Sequence, residues 1–535
     1  MSRTHPLSMP DAVFVQHEEE RPAAAARQPG HWATADVRVD VAHHANALDV
    51  TVTCPTRPIA RVALRWATGY APQTLFLGDH WERGYGDLQW RHLQPERVMP
   101  WYFAAHDPTR GTTRALGVKT QPAALCFWMV DAEGTTLWLD LRNGGLPSVP
   151  GDRPIAAASV VALDATPGET PFAAVRRLCR QLCEMPRLLA APVCGNNNWY
   201  YAYGVNFDAR QVLRDAEFLA DLAGAAHTRP FCVIDAGWSP GGVCPGGPWT
   251  AGRPDAFPDM AQLAVEIRRC GVRPGIWMRP TALSTVDNPR RLRAGPQPSA
   301  EKALDLSLEE NLILIHQDVS RVRSWGYDLI KHDFSTWDAF GRWGFAMGAQ
   351  ITDGGWHFAD RSRTNAELIL RLYQTIRAAA GEAMLIGCNT IGHLGAGLFE
   401  LQRAGDDTSG RTWERTRKMG VNTLAFRMPQ HDAFFACDAD CVAHTEQTPW
   451  PLDRQWLDLV ARSGTPLFLS ADPRHTPREV VGALRDGLRL ALAGGSAAVE
   501  PLDWLTTTCP TLWRFDDETV RYQWHEPEGV WPFAV

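Results

Sequence analysis

From about residue 192 onward, short apolar segments alternate with longer stretches of helical periodicity. This alternation is typical of parallel βα units, because a helix must carry the chain back before the next parallel strand begins. Eight such segments predict a closed (β/α)8 TIM barrel, and their span of roughly 280 residues agrees with the usual length of about 250. The predicted strands are residues 193–197, 230–235, 273–278, 327–333, 384–388, 398–403, 423–427 and 465–470. The predicted helices between them include residues 209–223, 260–269, 308–325, 365–380 and 412–419.

The regions on either side of this barrel follow a different pattern. Residues from about 30 to 170 consist of short runs in which apolar and polar residues alternate, separated by proline and glycine. A period of two is typical of half-buried strands, so we predict an antiparallel β-sandwich followed by a helix over residues 170–184. Short strand-like runs also follow a last helix over residues 478–492. The prediction is a multidomain protein with an N-terminal antiparallel β-sandwich and linker helix (1–185), a central (β/α)8 barrel (186–495) and a short C-terminal β-appendage (496–535).

Composition and charge argue against several classes of partner. Of the 535 residues, 45% are apolar and 21% are charged, and the formal net charge is -7. Lysine and arginine form no block, which argues against nucleic acid or an anionic membrane and favours a small neutral ligand. The first residues lack the apolar segment of a signal peptide, and no later stretch approaches about 18 apolar residues, so we expect a soluble, cytoplasmic protein. The 12 cysteines lack the spacing of a disulfide framework and are expected to be reduced.

Charged side chains lie at the carboxyl end of the fourth predicted strand and soon after the sixth, at the end of a barrel where active sites form. Lys331 and Asp333 lie two residues apart, so they share one face of the strand while His332 faces the other side. Asp406 and Asp407 come soon after the sixth strand. Two carboxyl groups from different strands suggest glycoside hydrolysis, in which one attacks the sugar and the other protonates the leaving oxygen.

We predict that Asp333 is the nucleophile and that Asp406 is the acid/base. The ammonium group of Lys331 would keep Asp333 ionised, whereas the like charge of Asp407 would keep Asp406 protonated part of the time. The alternative is structural. In that case Lys331 and Asp333 form an ion pair, and Asp406 and Asp407 cap the following helix.

Further polar and aromatic residues follow the predicted strands and are candidates for binding the ligand. Asp235 can accept hydrogen bonds from sugar hydroxyls beside Trp238 as a wall, or it can cap the end of its strand. Arg403 can donate to a hydroxyl or pair with Glu400. The full set of predicted binding residues is Asp235, Trp238, Trp199, Trp277, Lys331, Arg403, Cys388, Asn389 and Arg279.

No metal or cofactor site is predicted. Cys437, Asp438, Asp440 and Cys441, with His444, resemble metal ligands superficially, but their spacing matches no recognised metal motif. The chain also lacks the Gly-x-Ser-x-Gly turn of a serine hydrolase. We therefore expect a small carbohydrate as the partner, with neither a metal nor a cofactor.

Several motifs resemble those of glycoside hydrolase family 36, the α-galactosidase clan that also includes families 27 and 31. They are Asp235-Ala236-Gly237-Trp238 for the family's Asp-Asp-Gly-Trp, Pro274-Gly275-Ile276-Trp277, Lys331-His332-Asp333 for its Lys-aromatic-Asp, and Gly405-Asp406-Asp407-Thr408. The resemblance implies a barrel between two β-domains and a retaining, metal-free double displacement. Asp333 would attack the anomeric carbon and Asp406 would protonate the aglycone, with the two carboxyl groups about 5–5.5 Å apart.

The sequence also departs from the family pattern. Ala236 replaces the second aspartate of a pair that helps to hold the galactose 4- and 6-hydroxyls, and Arg279 stands where many relatives have glutamate. We predict a retaining exo-glycosidase for terminal α-linked galactose or a related sugar, and hypothesise that Ala236 and Arg279 mark a pocket for a differently substituted or acidic sugar. A transglycosylase of the raffinose-synthase type and a non-catalytic carbohydrate-binding barrel are the alternatives. Relatives are often oligomeric, which leaves a homo-oligomer open.

Overall fold

The computed structural model describes residues 7–18 and 20–530. In this part of the chain, the N-terminal strands form two antiparallel sheets of six and eight strands. Alternate side chains of Ala47–Cys54 are buried, as a period of two predicts. The antiparallel strands expected over residues 30–170 are confirmed, and their packing as a sandwich stays a prediction. The strands are β1 Ala12–Gln16, β2 Ala23–Ala24, β3 Ala26–Gln28, β4 His31–Ala33, β5 Arg38–His44, β6 Ala47–Cys54, β7 Arg61–Trp66, β8 Leu75–Gly78, β9 Met99–Pro100, β10 Tyr102–Asp107, β11 Thr112–Val118, β12 Leu125–Asp131, β13 Gly134–Asp140 and β14 Gly151–Asp164.

The next part of the chain forms a parallel sheet that curls back on itself, as in a TIM-like barrel. Its strands, with the separate pair β18 and β19, are β15 Cys194–Asn197, β16 Phe231–Ile234, β17 Arg273–Met278, β18 Ala282–Leu283, β19 Lys302–Ala303, β20 Leu329–His332, β21 Met384–Gly387, β22 Leu401–Arg403, β23 Ala436–Asp438, β24 Cys441–His444 and β25 Leu467–Ala471. β23 pairs with β22 and β24 pairs with β25. β23 and β24 are the strands at the two ends of the sheet, and they follow each other directly in the sequence.

One predicted barrel strand is wrong. Thr423–Arg427 is helical and continues the helix Trp413–Thr416 through a π-helical turn, Arg417–Asn422. All of its residues are buried, and a short run buried on every side cannot be assigned to strand or helix from its periodicity. The strand that fills this place in the sheet is β23 with β24, farther along the chain. The other predicted barrel strands are confirmed within a few residues.

Helices connect the barrel strands, and several begin at polar caps. Asp208 and Asp259 each accept a hydrogen bond of 2.8 Å from the backbone N–H three residues later. Thr364 begins a later helix with a capping box that includes Glu367. The α-helices are α1 Pro171–Leu182, α2 Trp199–Ala202, α3 Ala209–Ala223, α4 Met260–Arg269, α5 Glu309–Ser324, α6 Ser335–Phe340, α7 Asn365–Ala380, α8 Gly392–Gly395, α9 Trp413–Thr416, α10 Thr423–Arg427, α11 Trp450–Arg462 and α12 Arg478–Leu492. Short 3-10 segments occupy Pro289–Arg291, Gly344–Met347 and Met428–Gln430.

The last described residues pack against the barrel helices. β26 Val499–Pro501, β27 Leu512–Phe515 and β28 Glu518–Arg521 form an antiparallel sheet. Beyond it, the backbone carbonyl of Trp524 accepts a hydrogen bond of 2.7 Å from the indole N–H of Trp413. Strands are thus found in the predicted C-terminal segment, of which residues 531–535 lie outside the described residues. The predicted domain boundaries stay predictions.

Candidate active site

Asp333 directly follows β20 at the carboxyl end of the barrel, and three donors hold its carboxylate. One oxygen accepts a hydrogen bond of 2.9 Å from the indole N–H of Trp277. The other accepts from the backbone N–H groups of Phe334 at 2.7 Å and Asn389 at 3.2 Å. Asp333 is 9% exposed. Its orientation is therefore set by fixed groups, and a small part of the residue remains exposed.

Lys331 shares this face of the strand, but its direct partner differs from the predicted one. Its ammonium group lies 2.7 Å from a carboxylate oxygen of Asp235, which also accepts a hydrogen bond of 2.5 Å from the side chain of Asn197. Burial lowers the pKa of Lys331, but the charge of Asp235, with a smaller contribution from Asp333, outweighs this and holds the pKa well above its usual value. The site thus holds a permanent cation beside two carboxylates.

Asp406 and Asp407 follow β22 and have different surroundings. The two oxygens of Asp406 pair with the guanidinium groups of Arg83 at 2.8 Å and Arg415 at 2.9 Å. The side chain of Asp406 is 18% exposed and that of Asp407 is 37% exposed. Asp406 is therefore enclosed by cations, whereas the carboxylate of Asp407 is more open to a ligand.

Cations also surround Asp407. Arg403 lies 3.3 Å and Arg83 lies 3.8 Å from one of its oxygens. Burial raises the pKa of Asp407, but Arg403, Arg83 and Lys331 together bring it down to about 2. Asp407 is therefore a carboxylate near neutral pH.

Cys244 is a partly exposed residue on the loop after β16, and several carboxylates of the site act on it electrostatically. Burial first, and then the charges of Asp333, Asp235 and Asp407, raise the pKa of its thiol to about 12. Because electrostatic interactions weaken with distance, Asp333, Asp235 and Asp407 lie within electrostatic range of the same thiol. Residues from the loops after β16, β20 and β22 thus meet at the carboxyl end of the barrel.

Two of the predicted tryptophans are part of the core. Trp238 is fully buried, and its indole N–H donates to the backbone carbonyl of Trp277 at 2.8 Å. The prediction that it forms a wall of the sugar pocket is therefore wrong. Trp277 is 1% exposed and reaches the site through its hydrogen bond to Asp333. Trp199 is partly exposed and packs edge-on against Tyr203, with ring centroids 5.6 Å apart, so it remains available to a ligand.

The two predicted binding arginines are also enclosed by protein. Arg403 is fully buried and lies 2.8 Å from Asp440 as well as near Asp407, so it donates neither to a ligand nor to Glu400. Instead, Glu400 pairs with Arg377.

The guanidinium of Arg279 is 2% exposed. It pairs with Asp338 and with Glu301 at 3.2 Å, and donates to Ser299 at 2.9 Å and to the carbonyl oxygen of Cys244 at 3.1 Å. All three of its nitrogens have protein partners. The hypothesis that Arg279 recognises an acidic sugar is therefore wrong.

Cys388 and Asn389 are buried, and they contact residues of the site rather than lining it. The buried thiol of Cys388 accepts long contacts from Arg403 at 3.5 Å and Arg83 at 3.7 Å, and burial raises its pKa well above the usual range. Asn389 is fully buried. Its backbone N–H donates to Asp333 and its side chain donates to Glu82.

Sequence reasoning missed a contribution from the N-terminal part of the chain. Residues 79–88, here called the mouth loop, lie across the carboxyl end of the barrel and supply Glu82 and Arg83. Gly84 anchors the loop: its N–H donates to Ala404 at 2.8 Å, and its carbonyl accepts from the N–H of Asp406 at 2.9 Å. A side chain at Gly84 would meet Thr423 at 2.7 Å, so this approach requires glycine. The sequence signal that could have revealed this loop is a run of charged and aromatic residues with two glycines. It lies between segments in which apolar and polar residues alternate.

Asp440, one of the residues that superficially resemble metal ligands, has other partners. Asp440 accepts hydrogen bonds from the hydroxyls of Tyr200 and Thr408 and pairs with Arg403. Within residues 7–18 and 20–530, no group of three or more His, Cys, Asp or Glu side chains is arranged to hold a metal ion. In the same part of the chain, no helix has the length and apolarity needed to cross a membrane.

Comparison with solved structures identifies the fold. The chain matches TtGalA, an alpha-galactosidase from Thermus thermophilus in complex with p-nitrophenyl alpha-D-galactopyranoside, with a TM-score of 0.61 and 19% identity over 91% of this chain and 97% of that one. It matches AgaA, a family 36 alpha-galactosidase from Geobacillus stearothermophilus, with a TM-score of 0.59 and 14% identity over 85% and 67%. It also matches the galactosidase domain of AgaSK, an alpha-galactosidase-sucrose kinase, with a TM-score of 0.59 and 14% identity over 90% and 72%. No family model and no curated protein matches the sequence. The chain therefore has the fold of family 36 α-galactosidases, as its motifs predict.

Proposed function

We propose that this protein is a glycoside hydrolase, specifically a retaining exo-glycosidase that removes terminal α-linked galactose or a related sugar through a covalent intermediate. The observation that carries the proposal is the orientation of Asp333 by three donors at the carboxyl end of a barrel strand. Lys331, Asp235 and Asp407 around the same space support it, as does a fold found in α-galactosidases.

In this mechanism Asp333 attacks the anomeric carbon, and the bond from that carbon to the leaving oxygen breaks. The donors from Trp277, Phe334 and Asn389 keep the carboxylate in one orientation, so little reorganisation is needed during attack. Water then attacks the glycosyl ester, and the carboxylate is released. The configuration at the anomeric carbon is retained because it is inverted twice.

The acid/base role belongs in this proposal to Asp407 rather than to Asp406, to which the sequence motif assigns it. Both oxygens of Asp406 are occupied by arginines, whereas Asp407 is more exposed and acts electrostatically on the same thiol as Asp333. The carboxylate form of Asp407 suits the second step, in which it accepts a proton from water. For the first step it must carry a proton, and a bound sugar that excludes water would raise its pKa in the required direction.

Lys331 and Asp235 would hold ring hydroxyls, and Trp199 would contact the apolar face of the sugar. The backbone N–H of Ala236 donates to Asp235 at 2.8 Å, but its side chain offers no acceptor. One hydroxyl that an aspartate would bind therefore lacks this partner, which weakens discrimination for galactose. Assays with p-nitrophenyl α-glycosides of galactose, glucose, N-acetylgalactosamine and galacturonic acid, and with the β-L-arabinopyranoside, identify the preferred sugar.

The central test is covalent trapping with 2-deoxy-2-fluoro-α-galactosyl fluoride, followed by peptide mass spectrometry. We expect one fluorosugar per chain, attached to the peptide containing Asp333, and no label on an Asp333→Asn variant. A label on another carboxylate would contradict the assignment. Turnover of an α-galactoside without any trapped ester would contradict the retaining mechanism. Product analysis with an added acceptor sugar separates hydrolysis from transglycosylation.

A further inference from the structure

We propose that Asp440 is a positioning residue for Asp407: it fixes Arg403 and the backbone beside Asp407, and it balances part of the charge of Arg403, so that Asp407 can carry a proton to the leaving oxygen. Asp440 lies in the short connection between β23 and β24, within the segment that superficially resembles a metal site. The inference rests on the proposed function and deepens it, because it names the group that adapts a carboxylate among arginines to acid catalysis.

One carboxylate oxygen of Asp440 has partners from three parts of the barrel. It accepts hydrogen bonds from the backbone N–H of Thr408 at 2.8 Å and from the hydroxyl of the same residue at 3.0 Å. It also accepts from the hydroxyl of Tyr200, and it lies 2.8 Å from the guanidinium of Arg403. Thr408 directly follows Asp407 in the sequence. Asp440 therefore fixes the backbone next to Asp407 as well as an arginine that contacts it.

Arg403 is shared between carboxylates on two sides. Its Nη2 atom lies 2.8 Å from Asp440 and 3.3 Å from Asp407, and its Nε atom lies 4.0 Å from Asp438. Strand pairing sets this arrangement, because Arg403 and Asp438 are direct partners in the register of β22 with β23. The side chain of Arg403 is fully buried, so solvent ions screen its charge little. The charge that acts on Asp407 therefore depends on the two aspartates of the connection.

Asp440 opposes the effect of the surrounding cations on Asp407. Because one nitrogen of Arg403 contacts both carboxylates, their oxygens lie within about 6 Å of each other. A like charge at this distance favours the protonated form of a carboxyl group, whereas a neighbouring cation favours the carboxylate. Besides the adjacent Asp406, the groups that act on Asp407 or respond to its charge are Arg403 from β22, Arg83 from the mouth loop, Lys331 from β20, Arg415 from α9, Tyr200 from α2 and Cys244 from the loop after β16.

Asp438 adds a second negative charge on the other side of Arg403. Burial, and to a smaller extent the like charge of Asp440, raise the pKa of Asp438 to about 6, although Arg403 acts in the opposite direction. Asp438 is therefore a carboxylate above that pH. Its oxygen also accepts a hydrogen bond of 2.9 Å from the backbone N–H of Asp440. The two aspartates thus fix each other as well as Arg403.

The backbone conformation of Asp440 shows that its carboxylate, rather than the turn of the chain, accounts for the residue. Its φ angle is 70°, in the left-handed region that glycine adopts most easily and aspartate tolerates. Asp440 is 4% exposed, so it gains no contact with solvent in return. A glycine would relax the backbone but would leave Arg403 and Thr408 without their shared acceptor.

The experiment measures kcat against pH for raffinose and for α-galactosyl fluoride. Asp440→Asn keeps the shape of the side chain and removes its charge, so more of the charge of Arg403 acts on Asp407. The alkaline limb for raffinose should move to lower pH by about one unit. The limb for the fluoride, whose leaving group needs no proton, should stay in place. A role limited to folding would not separate the two substrates in this way.

A double variant and a matched control sharpen the comparison. Arg83→Gln removes a positive charge near Asp407, so the raffinose limb of the double variant Arg83→Gln/Asp440→Asn should return towards that of the wild type. Asp140→Asn is the control, because Asp140 is a buried aspartate of β13 that pairs with Arg142 at 2.6 Å. Both limbs of the control should match those of the wild type.

Rates are expressed per active site, counted by trapping with 2-deoxy-2-fluoro-α-galactosyl fluoride. Formation of this ester needs no general acid, so it counts folded sites even where Asp407 no longer carries a proton. If Asp440→Asn yields no labelled protein, Asp438→Asn takes its place. This change removes a charge 4.0 Å from the Nε atom of Arg403, and its raffinose limb should move in the same direction by a smaller amount.

The direction of the raffinose limb decides the inference. A limb that stays in place or moves to higher pH in a labelled variant would overturn the role of Asp440, and so would an equal shift for both substrates. A shift confined to raffinose that is reversed in the double variant would support it. A wild type that neither cleaves an α-galactoside nor forms the trapped ester would refute the proposed function itself, whereas an active wild type with unmoved limbs in the variants would refute only this inference.

Discussion

The guanidinium of Arg83 lies 2.8 Å from the carboxylate of Asp406, so a residue of the N-terminal part of the chain reaches the end of β22. The preceding residue, Glu82, accepts a hydrogen bond from the side chain of Asn389, whose backbone N–H donates to Asp333. Of these two adjacent residues of the mouth loop, Glu82 thus contacts a residue that supports Asp333, and Arg83 contacts Asp406 itself. The barrel depends on another part of the chain for the geometry of its site.

Replacing Arg83 by glutamine should change the pH dependence of the proposed glycosidase activity. Arg83 is one of the cations that lower the pKa of Asp407, so its loss should raise that pKa, by roughly one unit for a neighbouring charge. The alkaline limb of the kcat profile, which reports loss of the proton from the general acid in the enzyme–substrate complex, should move to higher pH. Arg342→Gln, which removes a partly exposed partner of Asp353, is the control. An unmoved alkaline limb would contradict the role of Asp407.

Asp406 and Asp407 should respond differently to replacement by alanine. Asp407→Ala should lower kcat/KM for raffinose by about 100-fold or more, since general acid–base catalysis contributes about 10²–10⁴-fold. Its activity on α-galactosyl fluoride, whose leaving group needs no proton, should be restored by azide with formation of α-galactosyl azide. Asp406→Ala should give no azide product. The reverse pattern, read by product chromatography, would return the acid/base role to Asp406.

Trp277→Phe should slow the reaction without greatly weakening binding. The change removes the 2.9 Å indole hydrogen bond to Asp333, and hydrogen bonds to charged groups contribute about 1.5–3 kcal/mol. We expect kcat to fall about 10- to 100-fold with KM within about threefold, because the loss acts on the orientation of the nucleophile. Trp249→Phe is the control, since the buried indole N–H of Trp249 has no partner. Equal losses in both variants would point to packing instead.

His332→Phe should stabilise the protein against acid. The ring packs between Tyr373 and Phe399, neither of its nitrogens has a partner, and burial lowers its pKa to about 3. In the unfolded chain the pKa is about 6.5, so protons favour unfolding as the pH falls below that value, until about pH 3. The free energy of unfolding of the wild type should therefore fall by about 2–3 kcal/mol through this residue between pH 7 and pH 4.5.

Urea titrations at pH 7 and pH 4.5 measure this difference. The His332→Phe variant should lose less stability than the wild type over this interval, and it should also be more stable at pH 7 because two unpartnered buried nitrogens are removed. His316→Ala, at an exposed position on α5, should lose as much as the wild type. The same loss in His332→Phe as in the wild type would show that His332 is not the titrating group.

Local sequence patterns were sufficient to predict most of the strands and helices, and also the position of Asp333 in the site. The period of two predicted the N-terminal strands, and apolar segments between helical stretches predicted most barrel strands. The helices over 209–223 and 260–269 agree with α3 and α4 residue for residue. Asp333 could be placed because it ends a strand, and side chains at that edge of a parallel barrel converge. Thr423–Arg427 could not, since periodicity does not distinguish a fully buried strand from a buried helix.

The amino-acid sequence alone determined which segments alternate, where strands end, and that Asp333, Asp406 and Asp407 stand at such ends, because these are properties of neighbours along the chain. Only the tertiary structure decided that Lys331 pairs with Asp235, that Trp238, Arg279 and Arg403 are buried, and that Arg83 reaches Asp406. These relationships join residues far apart in sequence. Burial and charge at a site depend on every element packed around it, and no local pattern records them.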